Sequence, residues 1–304
     1  MKHDIYAEFW DARRRGANFP KIERRIDDTY QKIKLASLHL TTKENKEWAR
    51  ENKFKRWVKT EYTRKTIKTG KDILKELAVE DAQDSSLLKI PYSVVLEIEF
   101  KLRKPYLSKD EEVFYILDNP ICKDGVFKLP YIRSTTWKGA LRQVVRSIAH
   151  SEKIVVRLFG NEKESEKARQ GRLFFYPTFL NRIGLDVIAP LDRRKKFPVR
   201  GPILFEVAPE EAEGKFRLVY VPFDILNDGS RLKIEVQEDL EFLKEAIPKM
   251  MLEYGFSTKK TSGYGVVEER IKGVIKTRLK EEKFEGLSGF TNAIDKICEV
   301  IVRE

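Results

Sequence analysis

Cysteine is nearly missing from this 304-residue chain: Cys122 and Cys298 stand far apart and in no paired motif. That excludes a disulfide scaffold and a zinc-finger site, and it fits two buried or incidental thiols in a reducing compartment. Histidine occurs three times, at His3, His39 and His150, with neither metal-ligand nor triad spacing. No run approaches the roughly 18 apolar residues that a membrane span needs, so no membrane partner is expected. Met1-Lys2-His3-Asp4 opens no apolar stretch, so no secretory signal is expected and a cytoplasmic location follows. The order G-x-x-x-x-G-K-[ST] of a Walker loop is also absent, as is any internal repeat of fixed period.

What the chain has in excess is positive charge. Sixty Lys and Arg against 48 Asp and Glu leave a net +12, with a pI near 9.4. A polyanionic partner is implied, and nucleic acid is the commonest one. Charged residues make up 36% of the chain, which also fits a thermophile's surface ion pairs. That habit adds both signs, however, and leaves no such surplus. The 41% hydrophobic content suits one large or two modest cores.

Residues 1–92 read as a basic helical extension. Glycine is rare there, and Ile22, Ile26, Tyr30 and Ile33 recur at helical spacing. The segment holds 22 Lys and Arg against 15 Asp and Glu, seven of the twelve surplus charges. In residues 51–71, Phe54, Trp57 and Tyr62 interleave with a dense set of lysines and arginines. Two readings stand open: rings for bases and cations for phosphates, or an amphipathic helix with its rings in the core.

Residues 81–92 look like a linker, and residues 93–304 like one further domain. The spacing predicts strands over 94–103, 172–176, 202–207, 216–223, 231–236 and 266–271. Helices are expected from near Thr135 to Ile148, over 238–254 with a kink at Pro248, and over 289–303. The order is that of an α+β fold with a ferredoxin-like (RRM-like) core and insertions, an open antiparallel sheet backed by two helices. The irregular residues 104–133 are long for a structureless connection, and such loops tend to be functional.

Two stretches carry chemistry. In "YGFSTKKTSGYGVV", Gly255, Gly263 and Gly265 frame Ser257, Thr258, Lys259, Lys260, Thr261 and Ser262. Glycines let backbone amides approach a phosphate, while hydroxyls and lysines complete an anion site. The plainer alternative is a helix-to-strand turn with Gly255 as its cap. In "PYIRSTTWKGALRQVVRSI", Ser134, Thr135 and Thr136 place hydroxyls and free amides at a helix N-terminus, with Ser134 or Thr135 as the cap residue. Lys138, Arg142 and Arg146 then repeat every four residues, and Gly139 permits close approach. An ordinary cap explains the hydroxyls but not this combination. A third basic group, "PLDRRKKFPVRGP", brings Arg193, Arg194, Lys195, Lys196 and Arg200 beside the strand at 202.

These stretches also carry a resemblance. "DNPICKDGVFKLPYIRSTTWKGALRQVVRS", "LFGNEKESEKARQGRLFFYPT" and "GFSTKKTSGYGVV" resemble, in order, three signatures of the RAMP superfamily of CRISPR-associated proteins. Within it they look most like the backbone subunits of type III interference complexes. Pro130, Tyr131, Ile132, Ser134, Lys138, Gly139, Leu141 and Arg142 fit the middle pattern, with Thr135 and Trp137 as near matches. The match covers about residues 93–272. It implies an RRM-like fold that holds a CRISPR RNA through its backbone, beside other CRISPR-associated subunits. Lys138, Arg142 and the glycine loop, with Lys259, Lys260 and Ser262, are candidate RNA contacts, and Arg133, which departs from the family pattern, is expected to reach a phosphate instead. In cutting members, an aspartate just before the Asn/Ser-Pro of the first signature cleaves paired target RNA with a divalent metal. Here that position is Asp118, which would bind or orient Mg²⁺ or Mn²⁺, or align a ribose 2′-hydroxyl. Without the motif, Asp118 reads as the cap of an Asp-Asn-Pro turn.

The chain departs from the family pattern in three places. Arg133-Ser134 replaces a proline-glycine pair, "KPYLSKDEEVFY" replaces a small glycine turn, and Ser257 stands where many relatives have glycine. Four functions remain open at this point: a subunit that cuts target RNA, a subunit that holds guide RNA without cutting, a metal-independent nuclease that processes the precursor with a histidine base, and an unrelated RNA-binding protein with a convergent fold.

Overall fold

The computed structural model describes residues 26–39, 49–77, 84–110, 112, 115–149, 151–161, 168–189 and 202–303, together with residues 7, 10, 11, 14, 15, 23, 24 and 47. In chain order the elements are α1 (Thr29–His39) and α2, one unbroken helix running through Arg50–Phe54, Trp57–Ile67 and Lys68–Glu76. Next come β1 (Val94–Lys101), β2 (Tyr131–Ile132), α3 (Ser134–Ile148), α4 (Glu152–Phe159), β3 (Leu173–Phe175) and β4 (Thr178–Phe179). They are followed by β5 (Gly184–Ile188), β6 (Ile203–Val207), β7 (Glu213–Tyr220) and α5 (Gly229–Lys249, continued by Met250–Tyr254). The chain closes with β8 (Lys272–Lys276), β9 (Glu281–Glu285) and α6 (Gly286–Arg303). These group into two compact units: residues 1–80, 107–130 and 181–209 in one, and 81–106, 131–180 and 210–304 in the other.

The second unit is built on an antiparallel sheet of order β3-β7-β1-β8-β9. Taken without β9, the sequence β1-α3-β3-β7-α5-β8 places its four strands 2-3-1-4 across the sheet. That is the split βαβ arrangement of a ferredoxin-like core. Alternation in β1 decides its faces. Phe100 packs on Trp137 and Phe256, and Leu96 and Ile98 point the same way. On the other face Glu97 pairs with Arg217 at 2.8 Å and Glu99 with Lys272 at 3.0 Å. One end of that face is apolar: Val95, Val219 and Val221 lie under Leu87, Leu88, Ile90, Phe174 and Tyr176. Residues 87–90, which read as linker, are therefore seated on the sheet.

The first unit has α1 and α2 with the irregular described residues of 107–130 and the antiparallel pair β5–β6. Phe54, Trp57 and Tyr62 are buried in α2. Phe54 meets Tyr115 edge-on at 6.1 Å, and Tyr62 Oη donates to the Lys128 carbonyl at 3.0 Å. The rings belong to the core, and the adjacent cations Lys59 and Arg64 face outward.

Two expected strands are corrected. Residues 231–236 open α5 as helix. Leu232, Ile234 and Val236 alternate as a strand would, but Ile234 is 68% exposed while Leu232, Val236, Leu240 and Leu243 are buried, a helical period. Asp228 caps that helix by accepting from the Arg231 amide, and Arg231 pairs with Glu235 at 2.8 Å. Residues 266–271 form only the bridge Leu102–Val267. The Val266 carbonyl serves the Arg103 amide at 2.9 Å and the Val267 amide serves Met251 at 2.9 Å, so the ladder starts at Lys272. The strands β5 and β9 lack a clean alternation that would have announced them.

Candidate nucleic-acid interface

The Trp137 ring brings the two chemical stretches of the second unit together. It is fully buried on α3, 4.3 Å from Phe256 and 4.7 Å from Phe216 between centroids. Its Nε1–H donates to Thr178 Oγ1 at 3.0 Å, and Thr178 donates on to the Lys215 carbonyl. Phe256 is the residue after Gly255, so this aromatic cluster joins positions 137 and 256. Truncating a buried ring of this size costs about 3–5 kcal/mol.

The glycine loop then closes on itself. Gly255 caps the end of α5 at φ +70°, with its amide on the Met250 carbonyl at 2.9 Å. The Phe256 amide reaches the Gly265 carbonyl at 3.0 Å, and the Gly265 amide reaches Pro105 at 2.8 Å. A Cβ on Gly265 would lie 2.7 Å from the Ser257 amide nitrogen, a contact no side chain tolerates. Ser257, expected on the ligand face, is only 2% exposed. It packs inward against Gly265. The outward face is left to Thr258, Lys259, Lys260, Thr261, Ser262 and Gly263.

Loop and helix meet at the surface as well. Lys260 Nζ donates to Gln143 Oε1 on α3 at 2.9 Å. Along α3, Lys138 and Arg142 pair with no carboxylate among the described residues, and Arg142 Nε is buried without a hydrogen bond. Burial, and after it the charge of Arg142, holds the Lys138 ammonium below the usual lysine range. Burial alone does the same to Lys260. Like charges four apart on a helix cost a few tenths of a kcal/mol, so the row is not there for stability.

Gly139 makes the same point. It is exposed inside α3, and an added Cβ would meet nothing within 4 Å. Nothing in the fold requires a glycine there, and glycine weakens a helix interior. The helix starts one residue earlier than expected. Arg133, extended at φ −65° and ψ 145°, occupies the cap position, and no side chain caps the end. The first intrahelical bond is Thr136 N–H to the Arg133 carbonyl at 2.9 Å, so the Ser134 and Thr135 amides precede the ladder where the helix dipole favours an anion.

Asp118 lies in the first unit, in the bend 116–119, with its carboxylate 84% exposed. Arg50, the first residue of α2, places NH2 3.2 Å from Asp118 Oδ2 and donates through Nε to the Ile116 carbonyl at 2.8 Å. Beyond Asp118, Asn119 accepts from the Glu206 amide at 3.2 Å, and the Glu206 carboxylate accepts the Ile121 amide at 3.2 Å. Glu206 is itself buried with Lys123 and accepts from Tyr115 Oη at 2.5 Å. Burial first, then the Glu206 charge, drives the Tyr115 phenol well above its usual range, so it stays the donor.

Among the described residues no group of three or more His, Cys, Asp or Glu is placed to hold a metal. A magnesium ion keeps several waters and takes one or two carboxylates plus substrate phosphates. Asp118, exposed in its turn, could supply one such carboxylate. Arg193, Arg194, Lys195, Lys196 and Arg200, and likewise His3 and His150, lie outside the described residues. His39 ends α1. Sequence reasoning missed Gln143, Phe256 and Arg50. No local signal marks them, since each acts on a residue far away in the chain.

The chain has known relatives. A Streptococcus thermophilus protein named "CRISPR system Cms endoribonuclease Csm3" is 26% identical over 167 residues, covering 50% of this chain and 74% of that one. A type III-B Cmr-beta complex bound to cognate target RNA contains a chain that superposes with a TM-score of 0.55 at 20% identity, over 77% of both chains. That likeness establishes the shared fold. A Csm3–Csm4 subcomplex of a type III-A interference complex matches at a TM-score of 0.44 and 16% identity, over 67% of this chain and 95% of that one. Among the described residues no helix is long and apolar enough to cross a membrane. The RAMP superfamily model matches residues 113–268, more than half of the sequence and the span from the Asp118 turn through the glycine loop: the chain belongs to the RAMP superfamily.

Proposed function

We propose that this chain is an RNA-binding backbone subunit of a type III CRISPR effector complex, and that it cuts bound target RNA at Asp118. The observation that carries the binding reading is that Lys260 of the glycine loop is held on Gln143 of α3, the helix that also carries Lys138, Arg142 and the exposed, otherwise unexplained Gly139. Cations without carboxylates, amides at a helix start and a bare backbone suit a ribose-phosphate strand gripped without regard to sequence. The Streptococcus thermophilus relative is named an endoribonuclease of such a system, which supports the cutting role.

At the cutting site the chain's own part is to present one exposed carboxylate on a turn held at both ends. Asp118 would hold the metal or orient the ribose 2′-hydroxyl for in-line attack on its own phosphate. A bound Mg²⁺ or Mn²⁺ supplies Lewis-acid charge to the phosphate. A second reading, a subunit that holds guide RNA without cutting, draws on the Arg50 pairing, which occupies one oxygen of Asp118.

One set of measurements tests both parts. In the assembled complex, Asp118→Ala should abolish target cleavage with target affinity unchanged; undiminished cleavage refutes the cutting role. Replacing Lys138 and Arg142 by alanine should weaken RNA binding and shrink the log–log salt slope by about 1.4, at about 0.7 for each single-strand phosphate that is no longer neutralised. An unaltered slope would show that neither side chain meets a phosphate.

A further inference from the structure

We infer that Arg50 is a second catalytic residue, a guanidinium that faces the RNA phosphate at the Asp118 turn. The inference rests on the cutting role of Asp118 and adds to it a group from α2, outside the span matched by the superfamily model.

Position and donors carry the argument. Arg50 is 26% exposed and Asp118 84%, so the guanidinium is held from below while the carboxylate stands in solvent. Of the five N–H donors of an arginine, Nε is committed to the Ile116 carbonyl and one NH2 proton to Asp118. Among the described residues the other three have no partner. An exposed ion pair contributes only about 0.2–1 kcal/mol, which does not account for an arginine half-sunk into the fold. The turn itself is fixed from the far side by Glu206, through Asn119 and Ile121. Arg50 and Asp118 thus form a preset cation–carboxylate pair.

Such a pair suits the chemistry. When the ribose 2′-oxygen bonds to phosphorus, the bond to the 5′-oxygen breaks. The 2′ proton passes to water, the departing 5′-oxygen takes one up from water, and the non-bridging oxygens carry extra negative charge in between. A fixed guanidinium stabilises that charge without reorganising at the moment of reaction. It also holds Asp118 in place through the 3.2 Å contact.

The test uses the complex assembled with its guide RNA, read by single-turnover cleavage and separately by target affinity. Arg50→Ala should slow cleavage at least about tenfold, a modest share of the 10²–10³ that one oxyanion donor supplies, with target Kd within about twofold. Arg50→Lys should restore part of the rate, and so should free guanidinium ion added to Arg50→Ala. The lysine variant keeps the test open should the alanine variant fail to assemble. An Arg50→Ala rate equal to wild type, beside an inactive Asp118→Ala, overturns the inference and leaves the Asp118 role standing. A rate raised by Arg50→Ala also overturns it, by showing that the guanidinium masks the carboxylate. Full cleavage by Asp118→Ala removes the parent reading itself.

Discussion

Replacing Gly139 with alanine separates fold from function in one residue. Gly139 lies well inside the 15-residue helix α3, and no atom stands within 4 Å of the Cβ that alanine would add. Inside a helix alanine is favoured over glycine by about 0.8–1.0 kcal/mol, and here no clash subtracts from that gain. A unit of this size converts about 1 kcal/mol into roughly 2–4 °C, so Gly139→Ala should melt higher by that amount. RNA affinity should move the other way. If the strand lies against the bare backbone between Lys138 and Arg142, the methyl overpacks the contact at a cost of about 1–3 kcal/mol. That corresponds to about a five- to 150-fold rise in Kd. Differential scanning calorimetry and filter binding of a repeat-derived RNA measure the two effects. A variant that gains stability and binds RNA as well as wild type would show that nothing approaches Gly139, and the reasoning about α3 would fail.

Two other outcomes follow from charge. Lys138 and Lys260 are held below the usual lysine range, the first by burial and by Arg142, the second by burial. Bound phosphate favours their protonated forms, so binding takes up protons and affinity should fall as pH rises towards, but short of, the ordinary lysine value near about 10.4. Lys138→Arg with Lys260→Arg should flatten that decline, measured as Kd from pH 7 upward; an equally steep decline in the double variant counts against these lysines. In the second unit, burial works against the Asp224 charge, but hydrogen bonds from Arg172 and Arg169 outweigh it and hold the carboxyl down to about 2. Its folded value is below the unfolded one of about 3.9, so its contribution is present above about pH 4 and lost as pH falls through about 2. Asp224→Asn should lower the melting temperature at neutral pH and reduce its drop between those pH values. An unchanged acid profile would contradict the pairing.

How much was legible in the residues varies by element. β1 was plain because Leu96, Ile98 and Phe100 alternate with charged neighbours, and that alternation is the physical signature of a sheet with two unlike faces. The first turns of α5 misled because Leu232, Ile234 and Val236 satisfy the same alternation over six residues; only the burial of Leu240 and Leu243 further on selects the helical period. The rings of α2 were ambiguous because spacing states which residues share a face and not what that face meets.

Local chemistry alone determined that this chain is basic, and it singled out two glycine-and-hydroxyl segments, with Asp118 upstream of them, as candidates for a phosphate strand. Glycines, hydroxyls and cations announce themselves in short windows. Tertiary structure decided the rest: that Trp137 and Phe256 share one aromatic cluster, that Lys260 reaches Gln143, that Ser257 turns inward, and that Arg50 stands against Asp118. The Arg50–Asp118, Gln143–Lys260 and Trp137–Phe256 contacts join residues separated by 68 to 119 positions, and contacts at such separations are set by the packing of the whole core, which no local pattern records.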